Sequence, residues 1–236
     1  MKGAIMQPYF LPYIGYFQLI SAVDVFVIYD NIKYTKKGWI NRNRMLSNGG
    51  DVLFSIPIKK DSDSLDVVQR KLSVDFDRAK LLNQLKGAYL KASNFDSAYR
   101  LVEKILHFDN DNLFFFIFNS VKEICAYLDI ETDIKISSEI GINHRLKSQE
   151  KVIAICKEIG VNCYINSMGG VELYSSSEFK KYDIELNFLR TNISPYPQGG
   201  VNFVSHLSII DLLMHCDKEM VKSKLKDYSL VDAKLC

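Results

Sequence analysis

Short apolar runs bounded by polar turns alternate along this chain with segments whose apolar residues recur every three to four positions. The first run, Gly3-Ala4-Ile5-Met6, turns polar at Gln7-Pro8. A proline-flanked aromatic loop, Tyr9 to Tyr16, then leads into an expected helix from Phe17 to Ala22, and a second apolar run, Val25 to Tyr29, ends on Asp30. Strand, loop, helix and strand in this order make a parallel crossover, and open parallel sheets bind ligands where strands end. Two strand-like runs follow, Arg42 to Leu46 and Asp51 to Ile58. The junction between them, Ser47-Asn48-Gly49-Gly50, supplies residues that tolerate the positive φ of tight hairpin turns.

Helical periodicity dominates the middle of the chain: Asp75 to Leu90, Ser97 to Leu106 and Leu113 to Tyr127. Strand character returns at Asp133 to Ile136. A helix over Lys147 to Ile159, stopped by Gly160, precedes a strand from Asn162 to Ile165, a helix from Ser175 to Lys181 and a strand from Ile184 to Leu189. This alternation predicts an α/β fold: a Rossmann-like, mostly parallel sheet with a β-hairpin excursion. We expect a single domain over residues 1–236, with a helical insertion around 75–128.

Composition narrows the function classes. The 236 residues are 47% hydrophobic, enough for a sizeable core, and the net charge of +2 gives no electrostatic case for nucleic acid or membrane surface. No apolar stretch reaches the roughly 20 residues that span a bilayer, and the N-terminus lacks a signal-peptide pattern, so a cytoplasmic protein without membrane insertion is expected. Five dispersed cysteines, Cys125, Cys156, Cys163, Cys216 and Cys236, contain no CxxC pair and accompany only four histidines, so neither zinc nor a disulfide framework is expected. Cys125, Cys156 and Cys163 read as small core residues. No heptad pattern indicates an oligomeric state.

Four clusters can carry chemistry. In the first loop, Gln7 offers an amide, and Tyr9, Tyr13 and Tyr16 offer apolar faces with hydroxyls, a combination suited to a nucleoside or a sugar. In Trp39-Ile40-Asn41-Arg42-Asn43-Arg44, the only tryptophan stands beside two arginines and two asparagines, with Lys36 and Lys37 upstream. Arginine forks hold phosphate and tryptophan stacks, so a diphosphate is a reasonable guest; the alternative is a solvated basic hairpin. In Asn166-Ser167-Met168-Gly169-Gly170, backbone N–H groups at Ser167, Gly169 and Gly170 can meet an anion, or simply form a turn. Finally, Phe203 to Leu213 reads as ending in a helix with His206 at its N-terminus, where the helix dipole favours a neutral imidazole able to accept a proton. His144 is a second candidate base, Asp211 a residue that can satisfy loop amides, and no GxSxG elbow supports a serine hydrolase.

The crossover from Ala4 to Asp30 is similar in layout to nucleotidylyltransferase-like folds, but Tyr13-Ile14-Gly15-Tyr16 stands where those have His-x-Gly-His. A closer resemblance is to the WbqC-like family of bacterial proteins. It is carried by the block Gln7 to Tyr16, by Ala22 to Val27 with Asp30, by Trp39-x-Asn41-Arg42-Asn43-Arg44, and by Leu207 to Leu212. This resemblance implies work on an activated sugar in O-antigen or other surface-polysaccharide assembly. The expected reaction is N-acyl or aminoacyl transfer to a nucleotide-linked amino sugar. His206 would be the base, Gln7 and Asn41 polar positioners, Arg42 and Arg44 the diphosphate holders, with Trp39 or Tyr9 stacking. Asp30 is expected to contact the ligand from its strand end. No tightly bound cofactor is expected; the donor is a thioester of coenzyme A or of an acyl carrier protein. The alternatives are a non-catalytic nucleotide-sugar binder or scaffold, and a divergent nucleotidyltransferase.

Overall fold

The computed structural model describes residues 1–47, 49–199 and 202–233. Its elements follow the chain as β1 (Lys2–Met6), α1 (Ile14–Ser21), β2 (Val25–Ile28), β3 (Arg42–Ser47), β4 (Gly50–Ser55), α2 (Arg78–Tyr89), α3 (Phe95–Leu106), α4 (Leu113–Tyr127), β5 (Asp133–Ile136), α5 (Ser148–Glu158), β6 (Cys163–Ser167), α6 (Ser176–Lys180), β7 (Glu185–Thr191), α7 (Ile209–His215), α8 (Lys218–Leu225) and β8 (Tyr228–Asp232). Six strands form one sheet in the order β5-β2-β1-β6-β7-β8, parallel except for β8, which runs antiparallel to β7. The mostly parallel α/β sheet and the separate antiparallel β3–β4 hairpin are as the sequence predicts.

Successive side chains on a strand point to opposite faces, and here each face has its own core. Ala4, Phe26, Ile28, Ile165 and Leu189 meet residues of α1, α2, α3, α4 and α7 on one side. Ile5, Val25, Val27, Tyr164 and Phe188 meet Val152, Ile155 and Cys156 of α5 and Phe179 of α6 on the other. Both faces of the central strands are therefore covered, which is why β2 is an unbroken apolar run rather than an alternating one.

The hairpin belongs to the first core through Met45, Leu46 and Phe54. Its two-residue turn contains Gly49 at φ 79°; the other turn residue expected from sequence, Asn48, lies outside the described residues. Gly200 and Cys236 also lie outside them. Cys125, Cys156 and Cys216 are buried and Cys163 is half-buried, all four as free thiols. Burial raises the thiols of Cys125 and Cys156 to about 12, as expected of inert core residues. Among the described residues no helix is long and apolar enough to cross a membrane.

Helix starts differ from expectation: α2 begins at Arg78 rather than Asp75 and α3 at Phe95 rather than Ser97. The first helix begins at Ile14 rather than Phe17, so Gly15 and Tyr16 are helical. The last apolar helix begins at Ile209, where the Ser208 hydroxyl accepts from the Ile210 N–H. Ser208 caps it, so His206 lies before the helix and not on its first turn.

Candidate functional site

The order of the parallel strands changes direction between β1 and β6, and both lead from there into loops. Beyond the end of β1, the stretch Gln7–Tyr13 passes between the base of the hairpin and the segment that precedes α7. Backbone bonds fasten it on both sides. The Phe10 N–H donates to the Ile40 carbonyl at 3.0 Å and the Ile209 N–H to the Pro12 carbonyl at 2.9 Å, while the Ser208 N–H reaches the Arg44 carbonyl at 2.9 Å. Two side chains complete the clamp: the Asn43 amide donates to the Leu11 carbonyl at 2.8 Å and to Phe10 at 3.3 Å, and the Ser208 hydroxyl donates to Leu11 at 2.7 Å. Phe10 and Leu11 are fully buried beneath, each contributing roughly 1.5–3 kcal/mol of apolar burial. That offsets the left-handed backbone of Leu11, φ 46°, a conformation costing roughly 1–2 kcal/mol for a residue with a side chain.

Fixed in this way, the three segments enclose a cavity of about 320 Å³ lined by Tyr9, Pro12, Tyr13, Trp39, Asn43, Arg44 and His206. Trp39 is 43% exposed, an unusual position for the chain's only tryptophan. Tyr13 and His206 lie ring to ring, 5.8 Å between centroids. The Tyr9 hydroxyl donates to the Gln7 side-chain oxygen at 3.2 Å, tying the cavity to the end of β1, and burial raises the Tyr9 phenol above its ordinary value.

His206 has the second strained backbone of the site, φ 57°. Its carbonyl accepts from Arg44 Nη2 at 3.2 Å, and Arg44 Nη1 pairs with Asp51 at 2.7 Å. Arg44 thus holds the His206 backbone in place from across the cavity rim. The imidazole Nδ1 lies 2.9 Å from the Ser205 hydroxyl, and among the described residues no bond engages Nε2. When Nδ1–H donates to Ser205, Nε2 is left as an acceptor on a residue that lines the cavity. Strained, non-glycine backbone held by specific partners is a pattern that accompanies functional sites.

The other residues singled out from sequence fall elsewhere. Asn41 is buried away from the cavity; it accepts from the Tyr34 hydroxyl at 2.8 Å and donates to the Ile56 carbonyl at 2.7 Å, so its amide holds the hairpin base. Arg42 donates to the carbonyls of Gly38 and Lys37 and stacks 5.8 Å over Trp39, bracing the indole rather than lining the cavity. Gln7 is exposed at the end of β1. Asp30 is fully buried at the end of β2, where one carboxylate oxygen accepts from the Ser138 N–H at 2.9 Å and the other has no partner. Ser167, Gly169 and Gly170 stand at the end of β6, where the Ser167 N–H is taken by the Asn166 side chain at 2.7 Å. His144 is locked: Asn31 Nδ2 donates to its Nδ1 at 3.0 Å, leaving Nε2–H to donate to the Ile140 carbonyl at 3.0 Å. Lys151 fixes the Asn31 amide in that orientation, because an ammonium can only donate and it reaches Asn31 Oδ1 at 3.1 Å.

Sequence reasoning missed Pro12, the clamping role of Asn43 and the contact of Ser205 with His206. The signal for Asn43 was present. In Asn41-Arg42-Asn43-Arg44 the period of two turns the asparagines inward and leaves the arginines half-exposed. A larger concavity, about 910 Å³, lies at the opposite end of the strands, lined by residues such as Asp24, Asp129 and Lys222. Its ions pair with each other, Lys222 with Asp129 at 3.0 Å, and it faces the strand starts, where parallel sheets do not bind ligands.

Comparison with known proteins bears on this arrangement. A family model described as the WbqC-like protein family matches residues 7–223, which contain every cavity residue. The chain is 28% identical over 221 residues to the uncharacterized protein Rv1507c of Mycobacterium tuberculosis, covering 92% of this chain and 95% of that protein. No solved structure matches.

Proposed function

Because this chain belongs to the WbqC-like protein family, we propose that its aromatic cavity holds the sugar of a nucleotide-linked amino sugar and that the protein acylates or aminoacylates the sugar's amine. In this reading it serves bacterial surface-polysaccharide assembly in the cytoplasm. The observation that carries the proposal is the meeting of Tyr9, Tyr13, Trp39, Arg44 and His206, drawn from three distant segments, in one cavity. Aromatic faces suit the apolar face of a pyranose ring, and the phenol hydroxyls suit its oxygens. At about 320 Å³ the cavity lies at the small end of ligand sites, which fits a sugar ring better than a whole sugar nucleotide.

The chemistry follows from the free groups. The amine nitrogen attacks the carbonyl carbon of a thioester on coenzyme A or on an acyl carrier protein. His206 Nε2 takes the proton released as the C–N bond forms, and the proton passes to the departing thiolate as the C–S bond breaks. In this reading the Tyr13 hydroxyl, which has no hydrogen-bond partner among the described residues, donates to the developing oxyanion. Arg44 acts through His206 by holding its carbonyl. With Asn41 and Arg42 engaged internally, the positioning role passes to Tyr9 and Gln7.

The test is mass spectrometry of the protein incubated with amino-sugar nucleotides and acyl donors. N-acylated product is expected, with His206→Ala lowering turnover on the order of a hundredfold or more. Undiminished turnover in both His206→Ala and Trp39→Ala would remove the cavity from the reaction. Ligand-induced thermal stabilisation without any product would favour the non-catalytic binder.

A further inference from the structure

Beside Tyr34, whose hydroxyl bonds Asn41 at the hairpin base, stands a second cationic group that the proposed mechanism does not use. Arg70 follows a short 3₁₀ turn, Val67–Gln69, and is only 3% exposed. Its Nε and Nη2 nevertheless make no hydrogen bond. A guanidinium keeps its proton at any working pH, so its charge is present in the interior and requires an answer. Part of the answer is the Tyr34 ring, 4.8 Å below it. The rest is remote: the nearest paired carboxylate, Asp63, lies 3.9 Å from Nη2, beyond hydrogen-bond reach.

Asp63 is itself 63% exposed, on the polar loop that joins the hairpin to the 3₁₀ turn, and it bonds Lys36 Nζ at 2.9 Å. The charges of Lys33, Lys36 and Arg70 all hold its carboxyl below the usual carboxylate range, the Lys36 hydrogen bond most strongly. Burial raises the Tyr34 phenol above its ordinary value, and the charges of Arg70, Arg42 and Lys36 oppose that rise. Two cations, Lys36 at 2.9 Å and Arg70 at 3.9 Å, therefore converge on one carboxylate, and that carboxylate comes from an exposed loop. Arg42 also stacks on Trp39, so this spot and the cavity share a wall.

We propose that Arg70, with Lys36 and Lys33, is a receptor for a diphosphate-class anion, and that Asp63 occupies the anion's place in the free protein. A diphosphate carries more charge than one carboxylate and presents oxygens to several donors at once, so it can fill the unbonded Nε and Nη2 that Asp63 does not reach. Asp63 would move outward with its loop as the anion enters. The inference rests on the sugar-nucleotide reading above in one respect, that the anion is the diphosphate of that substrate; the anion site itself does not depend on acyl transfer.

Isothermal titration with inorganic pyrophosphate at low ionic strength tests it, because the probe carries neither sugar nor acyl group. Binding is expected in the wild type, tightened about fivefold in Asp63→Asn and weakened about tenfold or more in Lys36→Gln and Arg70→Gln. Should Arg70→Gln fail to fold, the two surface variants decide. Unchanged or weaker binding in folded Asp63→Asn overturns the proposal, as does binding abolished by Arg44→Gln but indifferent to Lys36→Gln. A nucleoside diphosphate binding at least as well as pyrophosphate supports a nucleotide as the source. Its exclusion while pyrophosphate binds would overturn that source. Pyrophosphate binding with the expected mutant pattern, in a protein that yields no acylated sugar, would leave this site standing while the reaction fell.

Discussion

His206 and Asp211 lie five residues apart yet belong to opposite kinds of polar cluster. Asp211 is fully buried and surrounded by donors: the Tyr89 hydroxyl at 3.0 Å, the Tyr196 hydroxyl at 2.6 Å and the Gln198 amide at 2.7 Å. Gln198 in turn donates to the Val204 carbonyl and accepts from its N–H, so the irregular stretch after β7 is laced to α7. Burial first, and then the charge of Asp211, pushes both phenols above their ordinary range, keeping them protonated and donating. His206 instead has one nitrogen on a serine and the other without a partner among the described residues, beside a tyrosine ring whose hydroxyl also has none among them. Residue type does not separate the two clusters, since each combines an ionisable group with tyrosines. What separates them is bonding capacity left over: complete in the scaffold, incomplete where a ligand is expected.

That contrast can be broken most severely from the scaffold side. Asp211→Ala strands two hydroxyls and an amide in the interior and is expected to cost about 3–5 kcal/mol, a large share of a domain's stability, read by urea denaturation. A loss under 1 kcal/mol would make the network ornamental. At the cavity, His206→Gly should separate stability from activity. It removes the base, so turnover falls on the order of a hundredfold, while release of the left-handed strain leaves the unfolding free energy unchanged or raised by up to about 1 kcal/mol. A strongly destabilised His206→Gly would put His206 with the scaffold. Trp39→Ala, at a 43% exposed position, is expected to weaken sugar-nucleotide binding by about 1–2 kcal/mol, measured by titration, with little change in melting.

The smallest expected effect concerns pH. His215 ends α7, where the helix dipole and Asp211 favour its charged form, but burial dominates and lowers its pKa below the ordinary 6.5. The unfolded chain therefore takes up the proton first as pH falls. Stability from this residue is complete above about pH 6.5 and declines as pH drops toward the lowered native value, a slope that His215→Asn should flatten in melting curves.

The fold was largely legible because period carries it: apolar runs and alternation for strands, three-to-four spacing for α2 through α5, and the Asn-Gly junction for the hairpin. The misplaced starts have local causes. Gly15 reads as loop but is helical, and α7 starts only where the Ser208 hydroxyl accepts from the Ile210 N–H, beyond His206. The site was legible as ingredients rather than as an arrangement. Tyr13, Trp39 and His206 meet only because the hairpin base and the α7 approach clamp one loop between them, a fact of tertiary hydrogen bonding with no trace in spacing. Arg70 left no signal at all, since a lone arginine in a polar stretch reads as solvated.

Gly15 carries one further implication. A methyl group added there would lie 2.4 Å from the Tyr13 ring and hydroxyl and 2.5 Å from the Thr191 hydroxyl. Thr191 belongs to β7 and Gly15 to α1, so the Tyr13 phenol and the Thr191 hydroxyl, both side-chain ends, would have to give way. The first turn of that helix therefore works as a set-screw behind the pocket. Selectivity for one guest over another is adjustable from a position that no guest ever meets.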